Sequence, residues 1–491
     1  MRTRVAQFLL NRKEWLEPLL LFLLFATAFL IRIWGISKSH FWDEMVYLQN
    51  AQVICCGKIN YSELGFRPPL ISVIYAGVFL RWHHIYAACI VTALLNALGP
   101  VFLYLAGRLS VGRLPATIAA LLLAFSPFFV GVFPNGFDSD DTGNSLLTDS
   151  PALTLVLLAF WLLLRALHLP STSRFAWAGL ALALSILMRF GSLPTVGLLF
   201  LLPLAAKQRW KALMACGAGL LVGLAPYLIW SRLRFGAFFF TLHAGWTHVE
   251  GPTESFFFYI RNSPAIFTAV ALFGFVVAAS SWLWRPFSAF SSRPRLPAAF
   301  HSNVSPLVLQ AFLWLWVLTE FVFFSAMPHK EPRYILQLTP PFLLLAGSGL
   351  AVLCALPRRS LQSAGALLLA ALLVFAFLPL RERFSQPFIN PDISEEETAS
   401  QFLQTRLPSE TVLYMNFNYP AFAFYTRYRI HELPAVGHAL YNDIQQIPPG
   451  GVLIVYRKTD EVWEPDIEWV NANSKFQRMR DFSTFVIYRV L

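Results

Sequence analysis

Charged residues are scarce in this chain. Of its 491 residues, only 13% are Asp, Glu, Lys or Arg, whereas 56% are hydrophobic. Soluble globular domains carry about 25% charged residues, so the composition excludes an ordinary soluble fold. Apolar runs of about 20 residues recur along the chain, which is the length that a helix needs to cross a bilayer. These runs lack the alternation typical of barrel strands. We therefore predict an α-helical polytopic membrane protein.

Other missing features narrow the function. The sequence has no Gly-rich phosphate loop, so it gives no sign of a nucleotide-binding fold. The net charge of +11 is spread over short loops rather than gathered on one face, which argues against nucleic acid as a partner. The five cysteines show no metal-ligand spacing. Cys55 and Cys56 are adjacent, and this close spacing disfavours a disulfide between them.

Length and hydropathy predict about eleven membrane spans. They lie near residues 16–36, 85–106, 114–133, 151–168, 175–188, 193–206, 211–230, 264–284, 305–324, 334–356 and 361–380. The loops that this count places inside the cell are basic and contain no acid, as expected for cytoplasmic loops. The amino terminus is also basic and is predicted to be cytoplasmic, with the first span as an uncleaved anchor. Residues 70–80 form a shorter apolar run, which predicts a helix lying at the membrane interface.

The composition changes near residue 384, where acids gather and the apolar runs shorten. We predict two domains, a transmembrane domain over residues 1–383 and a non-cytoplasmic α/β domain over residues 384–491. Residues 394–407 have a helical period with acids in the first turn. Residues 411–417, 451–455 and 482–490 are rich in β-branched and aromatic residues, which predicts strands. This small domain carries no motif that indicates a function.

The most informative stretch is a polar turn between two apolar runs, His329-Lys330-Glu331-Pro332-Arg333-Tyr334. Charged side chains at membrane depth are costly, so such a cluster is a functional site by default. Cations flank the Glu331 carboxylate, and Pro332 stiffens the turn. This arrangement suits an anionic ligand such as a phosphate, with His329, Lys330 and Arg333 as donors and Glu331 as a secondary candidate.

Three further positions in the predicted outer loops carry candidate chemistry. Asp43 and Glu44 follow the first span beside aromatic residues, a setting that can turn a carboxylate into a general base. Asp149 stands at the start of the fourth span, near the helix N-cap, where capping is the alternative explanation. Arg67 precedes Pro68-Pro69, a rigid bend that would fix a cation at the interface.

Weaker candidates complete the set. Arg189 ends the fifth span on the predicted outer side, against the positive-inside tendency, and so calls for an anionic partner. His243 and His248 share an outer loop without metal-site spacing. Asp138, Asp140 and Asp141 have the oxygen-rich character of a weak divalent-cation site, although their spacing is not that of an EF-hand loop. No cofactor is otherwise expected.

The polar turn resembles the His-Lys-Glu-x-Arg-Phe/Tyr motif of multi-spanning mannosyltransferases that use dolichyl-phosphate mannose. Asp43-Glu44, Arg67-Pro-Pro-Leu70 and Asp149 resemble the bacterial protein-mannosyltransferase and aminoarabinose-transferase group. Both groups belong to the GT-C class of glycosyltransferases. The resemblance implies sugar transfer, with inversion, from a polyprenyl-phosphate donor to a glycan, lipid or protein acceptor on the non-cytoplasmic side. It implies that Asp43 is the base, Asp149 a second acid, and His329, Lys330 and Arg333 the donor-phosphate contacts.

Other functions stay open at the level of the sequence. A transporter or flippase of lipid-linked sugars would favour internal repeats and broken helices near the midplane, and none is evident. An envelope glycan polymerase or ligase would use similar lipid-linked donors. A structural subunit of a larger transferase is a third alternative. The short amino terminus favours the bacterial inner membrane, and the endoplasmic reticulum is the alternative location.

Overall fold

The structure is a computed structural model that describes residues 2–37, 42–130, 146–247, 253–284, 304–355, 359–385, 387–390, 393–434, 438–457 and 467–491. Helices dominate it. In chain order they are α1 Arg2–Ile33, α2 Trp42–Cys56, α3 Leu70–Phe79, α4 Ile85–Ser110, α5 Arg113–Ala124, α6 Pro127–Val130, α7 Asp149–His168, α8 Thr172–Met188, α9 Leu193–Phe200, α10 Arg209–Phe235, α11 Phe240–Thr247, α12 Phe258–Arg261, α13 Ser263–Ile266, α14 Ala269–Trp284, α15 Pro306–Ala326, α16 Thr339–Ala351, α17 Arg359–Phe377, α18 Arg381–Ser385, α19 Glu395–Gln404, α20 Tyr419–Tyr425, α21 His438–Gln446 and α22 Ile467–Ala472. Short 3-10 turns cover Phe190–Ser192, Leu202–Ala205, Pro332–Leu338, Val352–Ala355 and Leu378–Leu380.

Seven helical segments in the described part of the chain are long and apolar enough to cross a membrane. They are Trp15–Ile33, Ile85–Ser110, Asp149–His168, Arg209–Phe235, Pro306–Ala326, Pro332–Ala355 and Ser360–Phe377. Shorter apolar helices fall at the other four predicted spans and at the predicted interfacial run. The prediction of a polytopic helical membrane protein is confirmed, and the count of about eleven crossings stays a prediction.

The chain divides into two compact units. The first comprises Met1–Ile36, Phe66–Leu70 and Cys89–Ile389, and the second comprises Ser37–Gly65, Ile71–Ala88 and Asn390–Leu491. The second unit thus takes in segments from the early part of the chain as well as the C-terminal region. The predicted domain boundary at residues 383 and 384 stays a prediction.

Small residues pack the helices of the first unit closely. A Cβ atom built on Gly179 of α8 would lie 1.9 Å from the Cys216 carbonyl oxygen, and one on Gly219 of α10 would lie 1.9 Å from the Ala176 carbonyl oxygen. Only glycine therefore allows α8 and α10 to approach backbone to backbone. Without a hydrophobic drive between helices in lipid, such close van der Waals packing is a main source of association.

The second unit contains a five-stranded sheet. Its strands are β1 Val412–Met415, β2 Arg429–Glu432, β3 Val452–Tyr456, β4 Phe476–Asp481 and β5 Phe485–Val490, in the order β2-β1-β3-β5-β4. Strand β1 runs parallel to β2 and β3, whereas β5 is antiparallel to both β3 and β4. All five residues of β3 are buried, as expected for a central strand covered on both faces. The predicted small α/β domain is confirmed.

One prediction about the cysteines was wrong. Cys55 and Cys56 form a disulfide with each other, at a Cα–Cα separation of 3.8 Å. They are the last two residues of α2, and the next residue, Gly57, has a φ of +64°. The pair thus lies in the last turn of the helix, where no following turn fixes the backbone.

Candidate active site

The predicted polar turn folds around the carboxylate of Glu331. His329 Nε2 lies 3.1 Å from Glu331 Oε1, and the Tyr334 hydroxyl donates to the same oxygen at 2.8 Å. Arg333 forms an ion pair with the second carboxylate oxygen. Glu331 has an extended backbone, and Pro332 begins the following 3-10 turn, so the chain reverses tightly enough for these side chains to converge.

These contacts control the ionisation of Glu331. Burial alone would raise its pKa, but Arg333 and the hydrogen bonds from His329, Arg333 and Tyr334 outweigh burial, so the pKa is held well below its ordinary value. Glu331 is therefore a fixed anion at neutral pH. It organises Arg333, His329 and Tyr334 of the motif, and its place as a secondary site candidate stays a prediction.

Lys330 lies within the protein and is only 5% exposed. Its amine donates to the Glu254 carbonyl oxygen at 2.9 Å and to the Met327 carbonyl oxygen. The Glu254 amide donates in turn to the Pro328 carbonyl at 2.9 Å, and the Tyr259 hydroxyl donates to the Glu331 carbonyl at 3.1 Å. The motif is thus tied to residues 254–259. Sequence reasoning missed Glu254 and Tyr259, because their role depends on backbone contacts that leave no pattern in the sequence.

A second set of contacts joins the motif to two remote positions. Arg189 Nη1 lies 2.5 Å from Asp149 Oδ2, and its guanidinium carbon lies 5.3 Å from the centre of the Tyr334 ring. Asp149 is the first residue of α7 and has a buried side chain. Arg189 follows the last residue of α8, with an extended backbone that turns its side chain away from the helix. Asp149, Arg189 and the polar motif, which were all predicted as site positions, therefore meet within one unit.

Arg67 lies in a segment that packs against α11. Its guanidinium carbon is 5.7 Å from the centre of the Phe66 ring. A Cβ atom on Gly245 of α11 would come within 2.5 Å of the Phe66 carbonyl oxygen and 3.1 Å of the Phe190 ring. Helix α11 thus lies against the segment that carries Arg67 and also against Phe190, in the turn that follows Arg189. His243, also on α11, is exposed.

Asp43 and Glu44 belong to the other unit, where they occupy the first turn of α2. Glu44 is 6% exposed and Asp43 is half-buried. Acidic side chains are favourable in this position because the N-terminal end of a helix carries partial positive charge. Trp42 fixes the start of the helix, since its ring lies 5.2 Å from that of Phe417 and 4.3 Å from that of Tyr419. The catalytic roles of Asp43 and Glu44 stay a prediction.

Four sequence candidates lie outside the described residues, namely Asp138, Asp140, Asp141 and His248. Among the residues that the structure does describe, no group of three or more His, Cys, Asp or Glu side chains is placed to hold a metal ion.

A buried carboxyl group near the middle of a span is a further feature of the first unit. Glu320 is fully buried in α15, and the Thr195 hydroxyl donates to its Oε1 at 2.5 Å. Three residues before Thr195, the Ser192 hydroxyl accepts a hydrogen bond from the Gln337 amide at 3.3 Å. A lone acid in the run 305–324 was visible in the sequence and could have been singled out, because such residues are rare in spans.

Known proteins resemble this chain in sequence and in fold. Residues 67–230, about a third of the chain, match the family described as dolichyl-phosphate-mannose-protein mannosyltransferase. An undecaprenyl phosphate-alpha-4-amino-4-deoxy-L-arabinose arabinosyl transferase from Pseudomonas paraeruginosa is 27% identical over 396 residues, which cover 74% of this chain. The match spans 66% of that relative's own length.

Two solved structures share the fold. ArnT from Cupriavidus metallidurans bound to undecaprenyl phosphate superposes with a TM-score of 0.61 at 15% identity, covering 97% of this chain and 98% of its own. The Archaeoglobus fulgidus oligosaccharyltransferase gives a TM-score of 0.56 at 12% identity, covering 85% of this chain and 64% of its own. The chain therefore has the GT-C fold. The resemblance predicted from the motifs is confirmed at the level of the fold, and this protein is an integral membrane protein. The role of the motif stays a prediction.

Proposed function

We propose that this GT-C chain is a membrane glycosyltransferase that moves a sugar from a polyprenyl-phosphate donor to an acceptor on the non-cytoplasmic side, with inversion. The observation that carries the proposal is the meeting of Asp149, Arg189 and the Glu331-centred motif in one unit of a GT-C fold. The known proteins it resembles support the donor class, since they include an undecaprenyl-phosphate sugar transferase and proteins solved with undecaprenyl phosphate or dolichol-phosphate.

The cations of this set would bind the donor phosphate. As the bond from the sugar to the phosphate breaks, negative charge grows on the leaving group, and fixed cations stabilise that charge most strongly in the transition state. Arg189 and Arg333 already have carboxylate partners, Asp149 and Glu331. A guanidinium has five N–H donors, so each arginine retains donors for phosphate while its carboxylate fixes its orientation.

Arg67, His329 and Lys330 would complete the phosphate contacts. Two of the three N–H donors of Lys330 are directed at backbone carbonyls in this structure. Its third donor would be the one available to a phosphate. Lys330 would then act as much through the shape that it gives the motif as through its charge.

Asp43 would remove the proton from the acceptor hydroxyl as that oxygen attacks the sugar, with Glu44 and Asp149 as the other acidic positions. A single displacement of this kind inverts the anomeric carbon. A general base contributes about 10²- to 10⁴-fold to a rate. The basic loops and the bacterial relative favour an inner-membrane location with the amino terminus in the cytoplasm and the α/β region in the periplasm.

The competing functions are less well supported. A transporter or flippase of lipid-linked sugars would bind similar donors, as would an envelope polymerase or ligase. The curated relative carries the name of a transferase of a single sugar, which favours transfer over transport or polymerisation.

The test is transfer by the purified full chain in proteoliposomes containing a polyprenyl-phosphate sugar and a cell-envelope extract as the source of acceptors. Release of polyprenyl phosphate, followed by mass spectrometry, reports donor use. We expect Asp43→Asn to keep the fold and to lower release by at least about 10²-fold. Asp443→Asn, the same change at a half-buried aspartate on α21 of the same unit, serves as the control variant. Release by wild type at the level of empty liposomes would contradict the proposal, and wild-type rates in Asp43→Asn would remove Asp43 from the mechanism.

A further inference from the structure

The second unit contains a cavity of about 1190 Å³ that the proposed transfer reaction does not use. It is lined by the end of α2 and the loop after it, by His83, by the end of α19, and by residues 425–429. Four basic side chains, Lys58, His83, Arg427 and Arg429, face it, and no Asp or Glu is among its lining residues. A cavity with cations and without carboxylates has a positive potential, which favours an anionic ligand.

The segment that carries the two arginines, residues 425–429, is held firmly in place. The Asn60 side-chain amide lies within 2.9 to 3.2 Å of the carbonyl oxygens of Ala423, Thr426 and Tyr428. Thr426 and Tyr428 are buried, whereas Arg427 and Arg429, which alternate with them, are exposed. The extended backbone thus anchors one side of the loop and presents both guanidinium groups on the other. Because the backbone is already fixed, this segment loses less entropy when a ligand binds than a free loop would.

The two arginines have no carboxylate partner within the described part of the chain. Two other arginines of this unit, Arg457 and Arg478, are paired with Asp481. Arg427 instead faces a second cation. The Lys58 amine donates to Gln52 Oε1 at 2.7 Å and to the Phe424 carbonyl. Burial, and then the charge of Arg427, lower the pKa of Lys58 to about 7. Like charges held together in this way are relieved by an anion between them.

Polar uncharged groups complete the lining, including Gln404, Ser409 and Tyr425. Guanidinium groups match the oxygens of a phosphate with paired N–H donors, and hydroxyl and amide groups match a sugar. We propose that this cavity binds a phosphate-bearing ligand, held by Arg427 and Arg429 with Lys58 and His83 beside them. The proposal does not depend on the transfer reaction, because binding is measured directly.

The test is calorimetric titration of the full chain, in nanodiscs of phosphatidylcholine, with glucose 6-phosphate and with glucose as its neutral counterpart. We expect wild type to bind the phosphate ester and not glucose. The Arg427→Gln, Arg429→Gln double variant should bind it at least about tenfold more weakly, since hydrogen bonds to charged groups are lost. Arg489→Gln is the matched control, because Arg489 is an exposed arginine of the same unit that does not line the cavity.

Repeating the titration in nanodiscs that also contain phosphatidylglycerol separates two sources of phosphate. If anionic lipid headgroups occupy the cavity, the apparent affinity of wild type for glucose 6-phosphate should fall, and the double variant should show no such change. An unchanged affinity would indicate a soluble or glycan-borne phosphate. Equal binding of glucose 6-phosphate by wild type and the double variant, or equal binding of glucose and its phosphate, would overturn the proposal. Loss of transfer in Asp43→Asn bears on the transferase proposal alone.

Discussion

Arg189 Nη1 lies 2.5 Å from Asp149 Oδ2, although 40 residues separate them in the chain. The pair links the end of α8 to the start of α7, and neither side chain is more than one fifth exposed. A partly desolvated pair of this kind is costly to break from one side, because the remaining charge has no partner. The same guanidinium lies over Tyr334, so the pair also fixes the polar motif.

Removing either member of this pair should lower both stability and transfer. We expect Arg189→Gln and Asp149→Asn each to cost about 3 kcal/mol, and the double variant to cost less than their sum. Arg189→Lys should keep the charge but lose the planar guanidinium that lies over Tyr334, and so recover stability only in part. Thermal midpoints of the purified chain and rates of polyprenyl phosphate release give the two readouts. Arg165→Gln on the exposed face of α7 is the control, and additive effects would contradict the coupling.

Glu331→Gln should disorganise the motif without changing its size. The fixed anion that holds Arg333, His329 and Tyr334 is replaced by a neutral amide, which leaves the arginine without its ion pair. We expect transfer to fall by at least about tenfold.

The pH dependence of stability tests the same residue. Because the folded-state pKa of Glu331 lies below its unfolded value, its contribution to stability is present above about pH 4.3 and is lost as the pH falls below that value. Wild type should therefore lose more stability than Glu331→Gln when thermal midpoints are compared between neutral pH and pH 4. Parallel curves for the two proteins would refute the assignment.

The buried carboxyl of Glu320 predicts an asymmetry between two substitutions at Thr195. Thr195→Val removes the donor and leaves a buried oxygen without a hydrogen bond, at a cost of about 1–3 kcal/mol. Thr195→Ser keeps the hydroxyl and should cost less. Thermal midpoints of the two purified variants test this difference in stability. Equal values would show that the hydrogen bond contributes nothing to stability.

Lys58 should make the stability of the second unit depend on pH in the alkaline range. Its folded-state pKa is about 7, below the ordinary value of 10.5, so the unfolded chain binds more protons between those two values. Stability should therefore rise with pH from about 7 upward, to the extent that Lys58 contributes. Lys58→Gln should flatten this rise in thermal midpoints measured from pH 7 to 10. Lys475→Gln, at a half-buried lysine of the same unit, should leave this rise unchanged.

Local patterns were enough to predict the helices of the membrane part and part of the sheet. The runs 151–168 and 305–324 became α7 and α15 with small shifts at their ends, because a run of that length has no other way to satisfy its backbone in lipid. Strands β1, β3 and β5 were predicted from their β-branched residues. Strands β2 and β4 were missed, since Arg429–Glu432 and Phe476–Asp481 are largely polar edge strands whose pairing depends on their neighbours.

By itself the sequence determined that this protein lies in the membrane, that its polar chemistry falls in a few short segments, and that Glu331 is surrounded by cations. Composition and spacing suffice for these features because they depend on transfer from water to lipid and on residues close in the chain. Only the tertiary structure decided that Arg189 pairs with Asp149, that Lys330 is bound to the Glu254 carbonyl, and that Cys55 pairs with Cys56. Those contacts depend on where helices end and how closely they pack, which no local pattern specifies.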